Sequence, residues 1–349
     1  MKSEISIYRE NCDFLDRLRL FNGSQSILEL EELSALLIRH PDFVVFSNGR
    51  KSLSAIALHQ ASERVAEYLQ EQRAEGKWTV IFAERSIEAA IFGFGCLYCG
   101  SAFVEIPTWY EPERVEAVLD LVKPAAILTQ RQFVDRWPDT LPLLTIDCET
   151  SSHSDGEANE EEEEVFTPRY QAVSPTHLDT RERLPAGDCA LGIFTSGTTG
   201  FSKLVKLSAR SLLYPAIAWQ GSIQSGDRIG YNPWFFYYLL YPLLNLATMV
   251  VIPDRILRNP IALATFIRKA QLTQIVLTPT LLQSLMVSVT DWADAFQQVH
   301  TLWLSGEQVS DRLRSQFKRG APHCRTIDLY SSNETGDVAF READGSFEV

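Results

Sequence analysis

The sequence predicts an α/β fold built on a mainly parallel sheet with helices on its faces. Three observations predict it. Short apolar runs alternate with longer segments of helical periodicity, in two rounds along the chain. Several runs end in polar, glycine-containing loops, where open α/β sheets bind ligands. The 349 residues, 45% apolar and 22% charged, are enough for two core-bearing units.

Taken in order, residues 1–25 are polar and weakly patterned and read as an arm. Leu28 to His40 is helical. Phe43-Val-Val-Phe leads through an Asn48-Gly49 turn into a second strand. Ser54 to Gln72 carries Ile56, Leu58, Val65 and Leu69 at helical spacing. Strands follow at Trp78–Phe82, Ala102–Ile106, Ala125–Thr129 and Leu143–Asp147, with helices at Ser86–Gly100 and Pro112–Val122. Proline suits the first turn of the latter helix. From Glu149 to Asp188 apolar periodicity lapses, and the run Glu160 to Glu164 reads as part of a solvated loop. Alternation then resumes. Helices are expected at Ala209–Trp219, Trp234–Leu246, Pro260–Ala270, Pro279–Val289 and Ser310–Lys318. Strands are expected at Leu191–Phe194, Lys203–Ser208, Asp227–Tyr231, Met249–Ile252, Gln274–Leu277, His300–Leu304 and Thr326–Tyr330. The division is a first subdomain over residues 1–180, ending in the acidic loop 149–188, and a second over 181–349.

The net charge of −13, with no basic cluster, argues against nucleic acid as a partner. No apolar stretch reaches the ~18–20 residues of a membrane span. The longest candidate, Trp234 to Ile252, is interrupted by Pro242 and Asn245. The N-terminus lacks an apolar signal core, which makes the cytoplasm the expected compartment. The six scattered cysteines are expected to be reduced thiols. Cys96 and Cys99 are spaced C-x-x-C, but on an apolar helical pattern with no second pair or nearby histidine, so they read as core residues.

Three strand-end loops hold the candidate chemistry. The first is Thr195-Ser-Gly-Thr-Thr-Gly200, with four hydroxyls and two glycines in six residues, trailed by Lys203. Backbone N–H groups and hydroxyls in such a loop can converge on phosphate oxygens, and the lysine adds a point charge. It is not a Walker loop: Thr198 stands where that motif needs its lysine, and a strand pattern follows rather than a helix. The second loop is Ser305-Gly306-Glu307, whose small residues would let a flat ring approach the backbone. The third is Tyr330-Ser-Ser-Asn-Glu334, pairing an aromatic face with a carboxylate suited to Mg²⁺.

In order and spacing these loops resemble the motifs of the adenylate-forming superfamily, which includes acyl- and aryl-CoA synthetases, nonribosomal peptide adenylation domains and firefly luciferase. Thr195 to Lys203 is similar to its Thr/Ser/Gly-rich signature, Tyr330 to Glu334 to its Tyr-Gly-x-Thr-Glu motif, and Ser305 to Glu307 to its Gly-Gly-Glu. The resemblance covers residues 25 to 340. It implies two stacked, mainly parallel sheets flanked by helices, and a reaction of a carboxylate with ATP to give an acyl-adenylate and pyrophosphate. By the same resemblance Thr195, Ser196, Gly197, Thr198, Thr199, Gly200 and Lys203 hold ATP phosphates, with Thr195 and Lys203 catalytic. Glu334 carries Mg²⁺. Tyr330 stacks on adenine, Gly306 and Glu307 line it, Asp328 accepts from its amino group, and Asn333 takes the place of the threonine that contacts the α-phosphate. The acceptor is the thiol of CoA or of a carrier-protein phosphopantetheine.

The departures are Ser202 and Leu204 for the signature's proline and glycine, Ser331 for a glycine, and Asn333 for the threonine. None removes a charge. The family's ribose-binding aspartate, hinge and C-terminal lysine-bearing lid are not reached by Val349; Thr335-Gly-Asp337 comes too early to be the ribose motif. The expectation is therefore a core without its lid: a piece of a longer ligase, or a nucleotide- or acyl-binding module without turnover. Amino-acid-activating members carry an aspartate just after the position of Asn232. Here Pro233-Trp-Phe-Phe-Tyr-Tyr follows, with no acid to pair an α-ammonium. The expected substrate is thus an apolar or aromatic acid, with Trp234, Phe235, Phe236, Tyr237, Tyr238 and Ser305 as pocket residues. An amino-acid adenylation fragment remains the further alternative.

Overall fold

The computed structural model describes residues 30–137, 141–148, 163–172, 189–195, 203–208, 211–212, 222–232, 236–332, 336–342 and 347–348. Helix α1 (Leu30–Arg39) precedes the hairpin β1 (Val44–Ser47) and β2 (Lys51–Ser54). Gly49 turns that hairpin at φ +78°, a conformation open to a residue without Cβ. Helix α2 (Ala55–Glu71) starts at Ser54, whose Oγ accepts from the Ala57 N–H. Then come β3 (Trp78–Phe82), α3 (Ile87–Cys99), β4 (Ala102–Glu105), α4 (Pro112–Val122), β5 (Ala126–Gln130) and β6 (Leu143–Cys148). Short strands β7 (Glu164–Val165) and β8 (Pro168–Ala172) lead to the hairpin β9 (Leu191–Thr195) and β10 (Lys203–Leu207). The second round is β11 (Arg228–Tyr231), α5 (Tyr237–Leu244), β12 (Thr248–Val251), α6 (Asp254–Leu257), α7 (Pro260–Lys269), β13 (Gln274–Leu277) and α8 (Pro279–Ser288). It closes with β14 (Thr301–Ser305), α9 (Asp311–Gly320), β15 (Arg325–Ser332), β16 (Gly336–Glu342) and β17 (Phe347–Glu348).

Among the described residues the strands form two sheets. One has ten strands in the order β17-β16-β15-β14-β13-β11-β12-β1-β2-β7, and the other seven, β10-β9-β4-β3-β5-β6-β8. The centres are parallel: β12 through β15 in the first sheet, β9 through β6 in the second. Strand membership crosses the expected 180/181 division. The hairpin β9–β10 joins the sheet built mostly by the first round, and β1, β2 and β7 join the sheet built by the second.

Period-2 alternation sorts side chains between layers. Ile81, Phe103, Leu128 and Leu144 point into a central core with α2, α3 and α5, shared with Met249, Val276, Trp303 and Ile327 of the other sheet. The neighbours Val80, Val104, Ile127 and Leu143 face an outer core with Val118 and Val122 of α4. Val250, Ile275, Leu302 and Leu304 face a third core with α7, α8 and α9. The molecule is thus helices, sheet, helices, sheet, helix. The two-sheet architecture is the one the motif resemblance implied. Among the described residues no helix is long and apolar enough to cross a membrane.

Three expectations are corrected here. The stretch Glu149 to Asp188 is not all loop. β7 and β8 lie within it as edge strands, β7 beside β2 and β8 antiparallel to β6. Both are largely exposed, so no buried face enforced an apolar alternation. Glu163 in the acidic run is not merely solvated: its Oε1 accepts from the Ser47 hydroxyl at 2.8 Å and from Arg228 Nη2 at 2.7 Å. The strand expected to end at Tyr330 continues to Ser332, which pairs with Gly336 of β16. Of the helix expected at Ala209–Trp219, Ser211 and Leu212 are helical and the remainder, save for these two, lies outside the described residues.

Candidate active site

The carboxyl ends of the parallel strands of both sheets open onto one cleft of about 620 Å³. Each strand delivers its residues through a short, capped connection. After β3, Ala83 and Arg85 precede Ser86, whose Oγ accepts from the Ala89 N–H and so fixes the start of α3. β4 ends in Glu105, Ile106 and Pro107, followed by Trp109 and Tyr110 at the mouth. β9 contributes Gly192, Ile193 and Phe194. From the other sheet come Asn232 after β11, Asp254 after β12, Thr278 after β13, Ser305 and Gly306 at the end of β14, and Ser331 of β15. Thr278 also caps α8, its Oγ1 accepting from the Leu281 N–H.

Gly306 sits at φ +89°, a left-handed conformation that favours glycine. The next residue, Glu307, accepts from the Thr280 N–H at 3.2 Å and from the Thr280 hydroxyl, which ties the loop after β14 to the first turn of α8. The Ser305 and Ser331 hydroxyls face each other at 3.4 Å. Tyr330 is 68% exposed, its ring face open.

At the opposite end, Arg85 Nε meets Asp254 Oδ1 at 3.3 Å, joining the two sheets across the cleft. Burial lowers the Arg85 pKa, with a smaller push in the same direction from Arg258, and the Asp254 and Glu105 carboxylates oppose that shift.

Of the expected site residues, Ser305, Gly306 and Tyr238 form walls of the cleft. Tyr238 is almost fully buried and stacks on Tyr231 at 5.0 Å between centroids. Lys203 is exposed at the start of β10, directly opposite Thr195 in the hairpin ladder, so the expected strand–loop–strand arrangement frames the first motif. Ser196, Gly197, Thr198, Thr199 and Gly200 lie outside the described residues, as do Asn333, Glu334, Trp234 and Phe235. Tyr237 begins α5. Asp328 is held by Arg314 of α9, a partner that competes with the adenine contact expected of it. Phe236 is not a pocket residue. It is fully buried, with its ring 5.2 Å from that of Phe94 and 5.1 Å from that of Phe103. Sequence reasoning missed Arg85, Glu105, Asp254, Trp109 and Tyr110. The rule that ligands sit at strand carboxyl ends applied to each, but a lone charge in a loop reads as solvated until the second sheet is placed opposite it.

A cleft outside the carboxyl ends of parallel strands, lined by a serine/glycine loop and by charged and aromatic groups, defines an α/β enzyme core with a small-molecule site. The chain belongs to the AMP-binding enzyme family, whose model matches residues 36–347. It is 26% identical over 316 residues to glycine betaine reductase ATRR of Emericella nidulans, covering 88% of this chain and 24% of that protein. It is 26% identical over 335 residues to tyrocidine synthase 2 of Brevibacillus parabrevis, covering 93% of this chain and 9% of that one. The chain thus spans about a quarter or less of these curated relatives. Among solved structures it resembles CmiS6 with a TM-score of 0.73 at 18% identity, covering 90% of this chain and 73% of that one. It resembles the N-terminal subdomain of Klebsiella oxytoca NpsA with a TM-score of 0.68 at 18% identity, covering 91% and 76%.

Proposed function

We propose that the chain is the ATP-binding core of an enzyme that activates a carboxylic acid as an acyl-adenylate for transfer to a thiol. The acid has an apolar or aromatic body and is not an α-amino acid. The observation that carries this reading is the cleft at the strand ends. It joins the polar Ser305–Gly306 and Ser331 end to walls of Ile81, Ala83, Ile106, Ile193, Phe194 and Tyr238. The family match supports adenylate chemistry. The absence of an acidic side chain in the six residues after Asn232 supports a substrate without an α-ammonium. A relative named as a dimodular nonribosomal peptide synthase, from Bacillus subtilis, favours a carrier-protein thiol over CoA. Glycine betaine, in the name of another relative, is itself a carboxylic acid.

The residues fit a nucleotide at the β14–β15 end. Gly306 presents backbone in a conformation that side chains disfavour, and Tyr330 offers an open ring face for stacking. The Ser305 and Ser331 hydroxyls supply polar partners beside it. Lys203 and Thr195 bracket the hydroxyl-rich loop assigned to the phosphates, and Glu334 is the residue assigned to Mg²⁺. Bound ATP supplies the adenylyl group. The chain's contribution is to bring two anions together, orient them and exclude water, which is catalysis by positioning and charge neutralisation. The test is ATP–pyrophosphate exchange against a panel of benzoates, short fatty acids and α-amino acids. Exchange with benzoates or fatty acids is expected. Exchange with α-amino acids alone overturns the substrate assignment.

A further inference from the structure

The cleft offers a set of hydrogen-bond donors that the acid-activating reading does not use. The end assigned to the nucleotide lies at β14 and β15, whereas Asp254, the partner of Arg85, follows β12. In the sheet order β15-β14-β13-β11-β12 these lie three to four strands apart. At about 4.8 Å per strand, that is roughly 14–19 Å. The substrate's carboxylate must meet the nucleotide, so a group that reaches Arg85 beside Asp254 belongs to the far end of the acid.

Four charged side chains act on one another there. Arg85 and Arg258 stand against the Asp254 and Glu105 carboxylates, which leaves no net charge when all four are ionised. The local field then selects neither sign of ligand, and the unengaged hydrogen-bonding groups decide what fits. The acceptors are taken or closed off. Asp254 Oδ1 meets Arg85 Nε at 3.3 Å, Asp254 Oδ2 is sealed from solvent, and Glu105 is not free. The donors are open. A guanidinium carries five N–H groups, four of them on its two Nη atoms. Among the described residues Asp254 is the one ion-pair partner of Arg85, met through Nε, and no hydrogen bond engages either Nη. Neither Nη is among the buried atoms left without a partner, and Arg85 lines the cleft, so both open onto it. Arg85 is only 17% exposed, so these donors have little water to satisfy them. A guanidinium held at Nε presents its remaining planar fork to a carbonyl or carboxylate oxygen.

We propose that the acid activated in this cleft ends in an oxygen acceptor, a carboxylate or an amide carbonyl, bound at its far end by the Nη groups of Arg85. This rests on the acid-activating reading above and adds the substrate class. The apolar walls hold the body of the acid, and Arg85 reads its tip. The competing account is that Arg85 and Asp254 act only as a latch between the sheets.

The test uses the full 349-residue chain and three stable acyl-adenylate mimics of similar size. These are the sulfamoyl adenosines of 4-carboxybenzoate, 4-carbamoylbenzoate and 4-isopropylbenzoate, titrated calorimetrically. At least one oxygen-bearing probe is expected to bind about tenfold tighter than the isopropyl probe, the scale of one hydrogen bond to a charged group. The tighter of the two identifies the acceptor as carboxylate or amide. Arg85→Met removes the donors and leaves two carboxylates facing Arg258 alone. It is expected to abolish the advantage, with the carboxylate probe losing most. Arg85→Lys keeps a charged donor and is expected to retain part of it. A latch-only role shifts all three probes by the same factor in Arg85→Met, and that result overturns the assignment. So does an isopropyl probe that binds the unaltered chain as tightly as both others, while acid activation stands. If none of the three binds, the acid-activating reading itself fails. The comparison on the unaltered chain needs no variant to fold.

Discussion

Phe236 decides whether the aromatic run after β11 is substrate pocket or core, and replacing it with alanine separates the two. Its ring is fully buried between Phe94 and Phe103, and it seats on α3 at Gly93, where an added Cβ would lie 2.2 Å from Phe236 Cε2. Removing a phenyl group from such a site costs its transfer free energy and leaves a cavity, about 3–5 kcal/mol together. The notch provides an internal control. Gly93→Ala in the native background must displace the ring and is expected to destabilise by about 1–3 kcal/mol. In the Phe236→Ala background the space is vacant, and a glycine-to-alanine change inside a helix is favourable by about 1 kcal/mol. The two substitutions are therefore expected to be non-additive by about 2 kcal/mol or more. Urea unfolding of the four proteins, followed by far-UV circular dichroism, measures this cycle. An unchanged midpoint for Phe236→Ala, or the same cost for Gly93→Ala in both backgrounds, refutes the core placement.

Asp227, 6% exposed, accepts from the Gln224 N–H, the Thr273 hydroxyl and Gln274 Nε2, and bonds His300 Nε2 at 2.9 Å. Asp227→Ala strands these partners and is expected to cost about 3–5 kcal/mol in chemical denaturation, whereas a surface control such as Glu67→Ala stays within about 0.5 kcal/mol. Burial raises the Glu88 pKa on α3, against a smaller opposing contribution from the Ser86 hydroxyl. A raised folded pKa means that the native state holds this proton more tightly, so its stabilisation is present at acid pH and is lost as pH rises through the folded value. Glu88→Gln is therefore expected to stabilise the fold relative to the parent at neutral pH, with the difference shrinking below pH ~4; a difference that grows on acidification contradicts the sign. Burial pushes the Cys99 and Cys324 thiols up to about 12 and raises the Cys96 thiol well above its ordinary value. Iodoacetamide at pH 8 is expected to leave these three unlabelled in the native chain and to modify all of them in guanidinium, read by peptide mass spectrometry.

Much of the fold is legible because burial imposes periodicity. Strands β3, β13 and β14 lie in sheet interiors and announce themselves as continuous apolar runs, and proline or serine punctuates the starts of α4, α7, α8 and α9. What was not legible lies at edges. β7 and β8 bury too little to need alternation, and β15 extends past Tyr330 because β16 returns beside it, a pairing no local pattern encodes. The site divides in the same way. The end assigned to the nucleotide is written in contiguous motifs, Ser305 to Glu307 and Tyr330 to Glu334. Its other end is assembled from Arg85, Glu105 and Asp254, residues 20 and more apart in sequence that meet only because β3 pairs with β4 and the two sheets face each other. Phe236 and Tyr238 show the remaining ambiguity: an aromatic run has one composition whether its rings face substrate or core, and helix phase puts one in the core and the other on the cleft wall.

The central claim is that the strand ends of both sheets form one acyl-adenylate site. Amide hydrogen exchange of the chain, with and without benzoyl sulfamoyl adenosine, tests it most directly. Protection is expected together at Ala83–Arg85, Thr278–Thr280, Ser305–Glu307 and Tyr330–Ser331, with none in the groove beside Pro168–Ala172. Binding without protection at Ser305–Glu307 and Tyr330–Ser331, or protection confined to one sheet, contradicts the account.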